Sequence, residues 1–182
     1  MDLTNSIKKH YQIAWGAFSE HLFDRGPTHE LPPSFSVLKF QPKKERKMWI
    51  YATCGMSGEV DKQGLELFIL TPSENDLMIE LLTVITHYHY NEKNLGVGHT
   101  VNFGYPWYRF SPCDHGLLSL PYLYGTDFEW MKTSSRLIRF LWVIPITKEE
   151  VECKKVKGLE YLESLFESSS FNYLDPYRES VV

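Results

Sequence analysis

The stretch from Lys47 to Leu70 places the strongest constraint on how this chain can fold. Its first part, Met48 to Cys54, is a short run of apolar and β-branched residues, as in a largely buried strand. Glycines and the acidic residues Glu59 and Asp61 follow, before a second apolar run from Leu65 to Leu70. The pattern predicts two strands joined by a glycine-rich polar loop. Because the loop is longer than a two-residue turn, burial must set the register of the strands.

Helices are predicted on both sides of this pair. Apolar residues at steps of three and four predict a helix over residues 5–23. After Thr71-Pro72, Ser73 is expected to cap a second helix, since Glu74 and Asp76 would favour its positive end. A further strand, with alternating burial, is predicted around Phe35, Val37 and Phe40, just before the central pair.

The sequence of the second half of the chain predicts further strands, followed by two helices. A short strand near residues 100–103, a strand over 117–123 interrupted by Pro121, and a loop over 124–135 precede the most apolar strand, Leu137 to Ile146. Thr147 and Glu150 have the spacing of a capping box. Two helices, separated by Gly158, and a tail over about 168–182 follow. We therefore expect one α+β domain over residues 1–182, a mixed, mostly antiparallel sheet with helices packed against it.

Composition narrows the range of partners. The net charge of −4 argues against nucleic-acid binding, and no apolar run is long enough to span a bilayer. The three cysteines are an odd number and far apart in sequence, which indicates a reducing compartment. The first residues lack a secretory signal pattern, so the protein is expected to be cytoplasmic. Nothing in the sequence indicates an oligomeric state.

Histidines and cysteines suggest two kinds of enzyme site. The candidates for a metal site or for Cys–His nucleophilic catalysis are His87, His89, His99, Cys113 and His115. On a helix, residues two apart point in widely different directions, which does not suit the convergent ligands of zinc. A thiol nucleophile needs a base within reach and a third group that orients the base. We therefore expect no catalytic, cofactor-binding or metal-binding residues, and the small Cys/His or metal-dependent enzyme remains the less favoured alternative.

Several segments, in order, resemble the suppressor-of-fused domain family. They are PPSFSVLKF, YATCGMS, GLELFILTP, WVIPITKEEVE and a terminal Arg178-Glu-Ser-Val181. The resemblance runs from about Trp15 to the C-terminus. It implies an α/β sandwich without catalytic residues that binds other proteins. Resemblance to the short bacterial members of the family implies an immunity protein that binds and neutralises a cognate toxin. Resemblance to the animal relative implies instead a regulator that sequesters a transcription factor or signalling protein.

Three groups of residues are candidates for contact with such a protein partner. A toxin that attacks nucleic acid tends to be basic, so its inhibitor needs acidic surface together with aromatic anchors. The candidates are Glu59 and Asp61 in the glycine-rich loop, Tyr105, Trp107 and Tyr108 in the aromatic segment, and Glu160, Glu163 and Glu167 near the C-terminus.

Overall fold

The structure is a computed structural model that describes residues 2–22, 30–58 and 63–182, apart from the side chain of Gln63. Eight strands and five helices lie within these ranges. In chain order they are α1 (Leu3–Trp15), β1 (Ser19–His21), β2 (Ser36–Phe40), β3 (Trp49–Cys54), β4 (Gln63–Thr71), α2 (Leu77–Asn91), β5 (Thr100–Asn102), β6 (Cys113–Ser119), α3 (Thr126–Glu129), β7 (Trp130–Lys132), β8 (Leu137–Thr147), α4 (Lys148–Lys157) and α5 (Leu159–Ser168). None of these helices is both long and apolar enough to cross a bilayer.

All the strands belong to one sheet, in the order β1-β2-β3-β4-β8-β6-β5, with β7 also paired to β8. Neighbours are antiparallel except β4 and β8, which run parallel. This pair joins the two halves of the chain, with Leu67 opposite Leu141 and Phe68 opposite Trp142. The predicted α+β class and the mostly antiparallel sheet are confirmed.

The sheet is covered on both faces. Successive side chains of β8 alternate between two cores, since neighbouring residues of a strand point to opposite faces. Leu141 and Val143 belong to one core, which α2 covers, whereas Phe140, Trp142 and Ile144 belong to the other. Side chains from α1, α3, α4, α5 and the C-terminal segment fill this second core. We call the two sides the α2 face and the α5 face.

The first helix is shorter than predicted. It buries Ile7, Tyr11 and Trp15 at steps of four residues, but it ends at Trp15, and Gly16 follows at φ 86°. Residues 19–21 then form β1, which pairs with β2. The prediction of one helix over residues 5–23 is wrong at this end because a left-handed glycine stops the helix, and pairing with β2 orders the polar residues after it.

The second helix begins later than predicted. Ser73 does not cap it; instead its carbonyl accepts a hydrogen bond from Thr71 Oγ1 at 2.8 Å, and Leu77 is the first helical residue. The acids predicted to favour the positive end of the helix bind a cation. Glu74 and Asp76 both accept from Lys39 Nζ on β2, at 2.7 and 2.9 Å. This ion pair anchors the start of α2 to the sheet.

A buried carboxylate organises the predicted central pair of strands. Glu66 on β4 is 0% exposed, and it accepts hydrogen bonds from Thr53 Oγ1 at 2.6 Å and Ser57 Oγ at 2.7 Å. The backbone N–H groups of Gly55 and Ser57 also donate to it, at 3.2 and 3.0 Å. These bonds hold the chain just after β3 against β4, which the sequence pattern did not predict.

The last third of the chain holds more regular structure than predicted. Strand β6 starts at Cys113 and ends before Pro121, and α3 and β7 lie where a loop was expected. The capping box of Thr147 and Glu150 is confirmed, as is the end of α4 at Gly158. The predicted tail packs on the α5 face, where Phe171, Tyr173 and Val181 contact the core.

Candidate protein-binding surfaces

The predicted contact residues lie on two opposite faces of the sheet. Trp107 and Tyr108 pack in the core of the α2 face and Tyr105 lies near Glu80 of α2, whereas Glu160, Glu163 and Glu167 lie on α5. The sheet separates the two groups, so they cannot act as one compact patch. Glu59 and Asp61, predicted for the hairpin loop, lie outside the described residues.

Trp107 is a core residue. It is 1% exposed within the core of the α2 face, and its carbonyl accepts from Asn75 Nδ2 at 3.4 Å. Its ring packs edge-on against Tyr108, whose hydroxyl donates to the carbonyl of Ser73 at 3.1 Å. Trp107 therefore anchors the aromatic segment to the protein itself, and its ring presents almost no surface to a partner.

Tyr105 and the outer side of α2 leave apolar surface on this face. Burial raises the pKa of the half-buried Tyr105 hydroxyl, and the charge of Glu80 raises it further. Val84 and Tyr88, seven and eleven residues after the first residue of α2, are exposed. They line a cavity of about 220 Å³ against β5. The described residues that line it include apolar, hydroxyl and amide side chains and no charged one.

The α5 face carries a cavity of larger volume, which contains two of the predicted acids. Its volume is about 340 Å³, and Glu163 and Glu167 line it. The other lining groups are mostly rings and aliphatic chains from β6, β8, α5 and the segments that follow β6 and α5: Ser119, Tyr122, Leu123, Trp142, Ile144, Phe166, Phe171 and Tyr173. We call this site the acidic cavity. Glu160 is exposed on α5 and does not line it.

Hydrogen bonds position Glu163 in the acidic cavity. Its Oε1 accepts from the hydroxyl of Tyr122 at 3.1 Å and from Ser119 Oγ at 3.4 Å. Burial raises the pKa of the Tyr122 hydroxyl, and the neighbouring Glu163 carboxylate raises it further, so this hydroxyl stays a donor. The same tyrosine is 60% exposed as a residue, which places an aromatic ring at the rim.

Trp142 supplies part of the buried wall of the acidic cavity. It is 4% exposed, and its ring lies edge-on to Tyr173 with centroids 4.9 Å apart. Among the described residues, its Nε1–H has no hydrogen-bond acceptor. Such a buried donor costs free energy unless an acceptor is supplied from elsewhere.

A basic groove adjoins the acidic cavity. Its volume is about 590 Å³, and Lys43, Arg46 and Lys47 line it, together with the acid Glu45. Leu123 and Tyr173 line both sites. Arg46 also fastens its own loop, since Nη2 donates to the carbonyl of Gln41 at 2.8 Å. The α5 face therefore presents acidic and basic surface side by side.

The histidines that suggested a metal site have other roles. Nδ1 of His89 accepts from the N–H of Leu95 at 2.9 Å, and Nδ1 of His99 accepts from the N–H of Gly96 at 3.0 Å. Both bonds shape the turn after α2. His87 pairs with Glu30 instead. Within the described ranges, no three or more His, Cys, Asp or Glu side chains are grouped as metal ligands would be.

Cys113 lacks the features of an activated nucleophile. Burial raises the pKa of its thiol to about 11, so at neutral pH it is protonated. His115 forms a hydrogen bond with the adjacent Asp114 through Nδ1. Cys54 is also buried, and burial raises the pKa of its thiol strongly. These thiols act as small apolar core groups.

Comparisons with known proteins agree with this architecture. The family model for the suppressor of fused protein matches residues 32–179. A solved homologue of that family from Neisseria gonorrhoeae FA 1090 superposes with a TM-score of 0.88 at 32% identity, covering 100% of this chain and 98% of that one. The structure of the Sufu–Fu complex matches with a TM-score of 0.72 at 13% identity, over 98% of this chain and 92% of that one, and this shows a shared fold.

One curated relative has a named role. Immunity protein YqcF of Bacillus subtilis (strain 168) is 32% identical over 68 residues, which are 37% of this chain and 35% of that protein. The match thus spans about a third of the relative's length. The fold is that of a mixed α+β domain with partly apolar, partly charged surfaces on both faces of its sheet. The chain belongs to the suppressor-of-fused family.

Proposed function

We propose that this protein is a non-enzymatic immunity protein, which binds and neutralises a cognate bacterial toxin. The observation that carries the proposal is the sequence similarity to Immunity protein YqcF, in a chain whose family model match covers residues 32–179. The Sufu–Fu complex is consistent with protein binding by this fold. The chain would act in the cytoplasm, where the toxin reaches its target.

The acidic cavity is the surface that best suits this role. Protein interfaces draw most of their binding free energy from a few aromatic and arginine side chains in desolvated pockets. Here a cluster of rings surrounds Glu163 and Glu167, and Tyr122 and Leu123 extend the apolar surface to the rim. Acidic groups would attract a basic toxin and would cover the surface with which it holds an anionic substrate.

Co-expression with a candidate toxin domain, sought among the genes beside this one, tests the proposal. The wild-type chain is expected to restore growth to cells that produce the toxin domain. A Glu163→Lys/Glu167→Lys variant is expected to protect poorly. Its matched control, Glu149→Lys/Glu152→Lys, makes the same charge change at exposed positions on α4 and is expected to protect fully. Continued growth arrest with the wild-type chain present would contradict the proposal.

A further inference from the structure

We infer that the acidic cavity receives one arginine side chain of the partner protein. The inference rests on the proposed function, because it names the group by which the toxin would be held. A cavity of about 340 Å³ lies at the small end of ligand sites and suits one side chain better than a folded element. Its lining combines aromatic rings with carboxylates, which are the two kinds of group that bind a guanidinium.

The carboxylates of the acidic cavity lack a cation of their own. Within the described part of the chain, no Lys or Arg lines the cavity. Arg178, which lies against Phe171 of the cavity wall, is held by Glu150 with both Nη atoms, and the cations of the basic groove line the neighbouring site instead. Glu163 uses Oε1 for Tyr122 and Ser119. Its other oxygen makes no hydrogen bond to the described residues and can accept from a charged donor of a partner.

The rings of this region already bind a guanidinium. The guanidinium carbon of Arg178 lies 4.6 Å from the centroid of Phe171, and Phe166 stacks on that same ring at 4.3 Å. Phe166 and Phe171 both line the acidic cavity. Cation–π contact on these rings is therefore compatible with their packing, and the cavity offers further ring surface on Tyr122 and Tyr173.

The indole N–H of Trp142 can report on occupancy of the acidic cavity. It is buried, it belongs to a residue that lines the cavity, and it has no acceptor among the described residues. Because Trp142 lines the cavity, an occupant beside its ring would change the environment of this N–H. The unpaired carboxylates and the rings carry the inference, and the indole N–H reports whether the cavity is occupied.

Other anchors suit the acidic cavity less well. An apolar side chain would fill the space between the rings but would remove water from Glu163 without pairing its charge, which is costly. Lysine would pair the charge, but its compact ammonium cannot stack on the rings or bind a carboxylate with two donors. Arginine does both, because its planar guanidinium presents several N–H groups and a flat face.

Titration with short peptides tests this inference. The probes are acetyl-Gly-Gly-Arg-Gly-Gly-amide and the same peptide with citrulline, which keeps the shape of arginine but not its charge. The readout is the ¹H–¹⁵N signal of the Trp142 indole, assigned with the Trp142→Phe variant. The arginine peptide is expected to shift this signal with a dissociation constant on the order of 1 mM, as befits a single anchor. The citrulline peptide is expected to bind about tenfold more weakly.

Variants of the cavity and a matched control complete the test. Glu163→Gln/Glu167→Gln is expected to weaken the arginine peptide about tenfold, whereas Glu149→Gln/Glu152→Gln leaves its affinity unchanged. Equal binding of the two peptides, preference for a leucine peptide, or an unmoved Trp142 signal would overturn the inference. Toxin protection by the wild-type chain, together with any of these results, would leave the proposed function standing and remove only the arginine anchor.

Discussion

The guanidinium of Arg178 binds both carboxylate oxygens of Glu150, with Nη1 to Oε1 and Nη2 to Oε2 each at 2.7 Å. The pair is buried, with Glu150 0% and Arg178 8% exposed. Glu150 also accepts from the N–H groups of Thr147 and Val181, at 2.9 and 3.1 Å. One carboxylate therefore caps α4 and fastens the C-terminal segment, which supplies Phe171 and Tyr173 to the acidic cavity.

Breaking this pair is expected to unfold or loosen the C-terminal segment. Arg178→Met leaves the Glu150 carboxylate buried without its cation, so the free energy of unfolding should fall by about 3–5 kcal/mol. Chemical denaturation measures this free energy of unfolding. Lys155→Met, which removes the exposed partner of Glu152, is the control and should leave the midpoint nearly unchanged. Equal midpoints for the two variants would show that the buried pair does not hold the segment.

Glu66 is expected to make stability depend on pH. Burial raises its pKa above the ordinary value of 4.5, although four hydrogen bonds oppose the shift. The folded state thus binds the proton more tightly than the unfolded chain does. The free energy of unfolding should therefore fall, relative to Glu66→Gln, as the pH rises from 4.5 through the raised pKa.

Glu66→Gln is a suitable reference because it cannot ionise and is close to the glutamate in shape. Its amide oxygen can still accept from the N–H groups of Gly55 and Ser57, and its amide nitrogen can donate to Thr53 Oγ1. Denaturation of both proteins at a series of pH values gives the two profiles. Parallel profiles would mean that Glu66 titrates alike in the folded and unfolded states.

The thiols are expected to be inert in the native protein. Cys54, Cys113 and Cys153 are all buried, and burial raises the pKa of Cys113 to about 11. A thiol-specific chromogenic reagent at pH 7 should react slowly with native protein and quickly after denaturation. Rapid modification of Cys113 in the native state would instead favour the Cys–His enzyme that the sequence left as an alternative.

The substitution Trp107→Ala is expected to lower the stability of the fold. Its ring fills the core of the α2 face, so the variant should lose about 3–5 kcal/mol of unfolding free energy. Tyr105→Ala, at a half-buried position in the same segment, is the control and should lose much less. Similar denaturation midpoints for the two variants would place the Trp107 ring outside the core.

Much of the fold follows from local pattern. The strands β3, β4 and β8 and the helices α2, α4 and α5 have strong apolar periodicity or a capping box, which local sequence displays directly. The short polar strand β1 does not, because Ser19, Glu20 and His21 become a strand only by pairing with β2. The role of Glu66 could not be predicted from local sequence either, since its hydrogen-bond donors come from the preceding strand and turn.

The candidate site was predictable only in part. Negative charge near the C-terminus pointed to Glu163 and Glu167, but nothing local marked Tyr122, Trp142 or Tyr173 as their neighbours. These residues meet because the C-terminal segment folds back on the sheet. The bond that fixes it joins Arg178 to a residue 28 positions earlier. The burial of each ring in the aromatic segment was hard to predict for a related reason, because irregular sequence gives no periodicity that separates a core ring from a surface ring.

The most direct test of the account is the affinity of the purified chain for a purified candidate toxin domain from a neighbouring gene. Calorimetry is expected to show a one-to-one complex with the wild-type chain. The affinity of the complex should fall at least about tenfold in Glu163→Lys/Glu167→Lys. The variants Glu149→Lys/Glu152→Lys and Tyr105→Ala/Tyr108→Ala should bind like wild type. No complex with the wild-type chain would contradict the immunity function. Full binding by Glu163→Lys/Glu167→Lys would contradict the role of the acidic cavity.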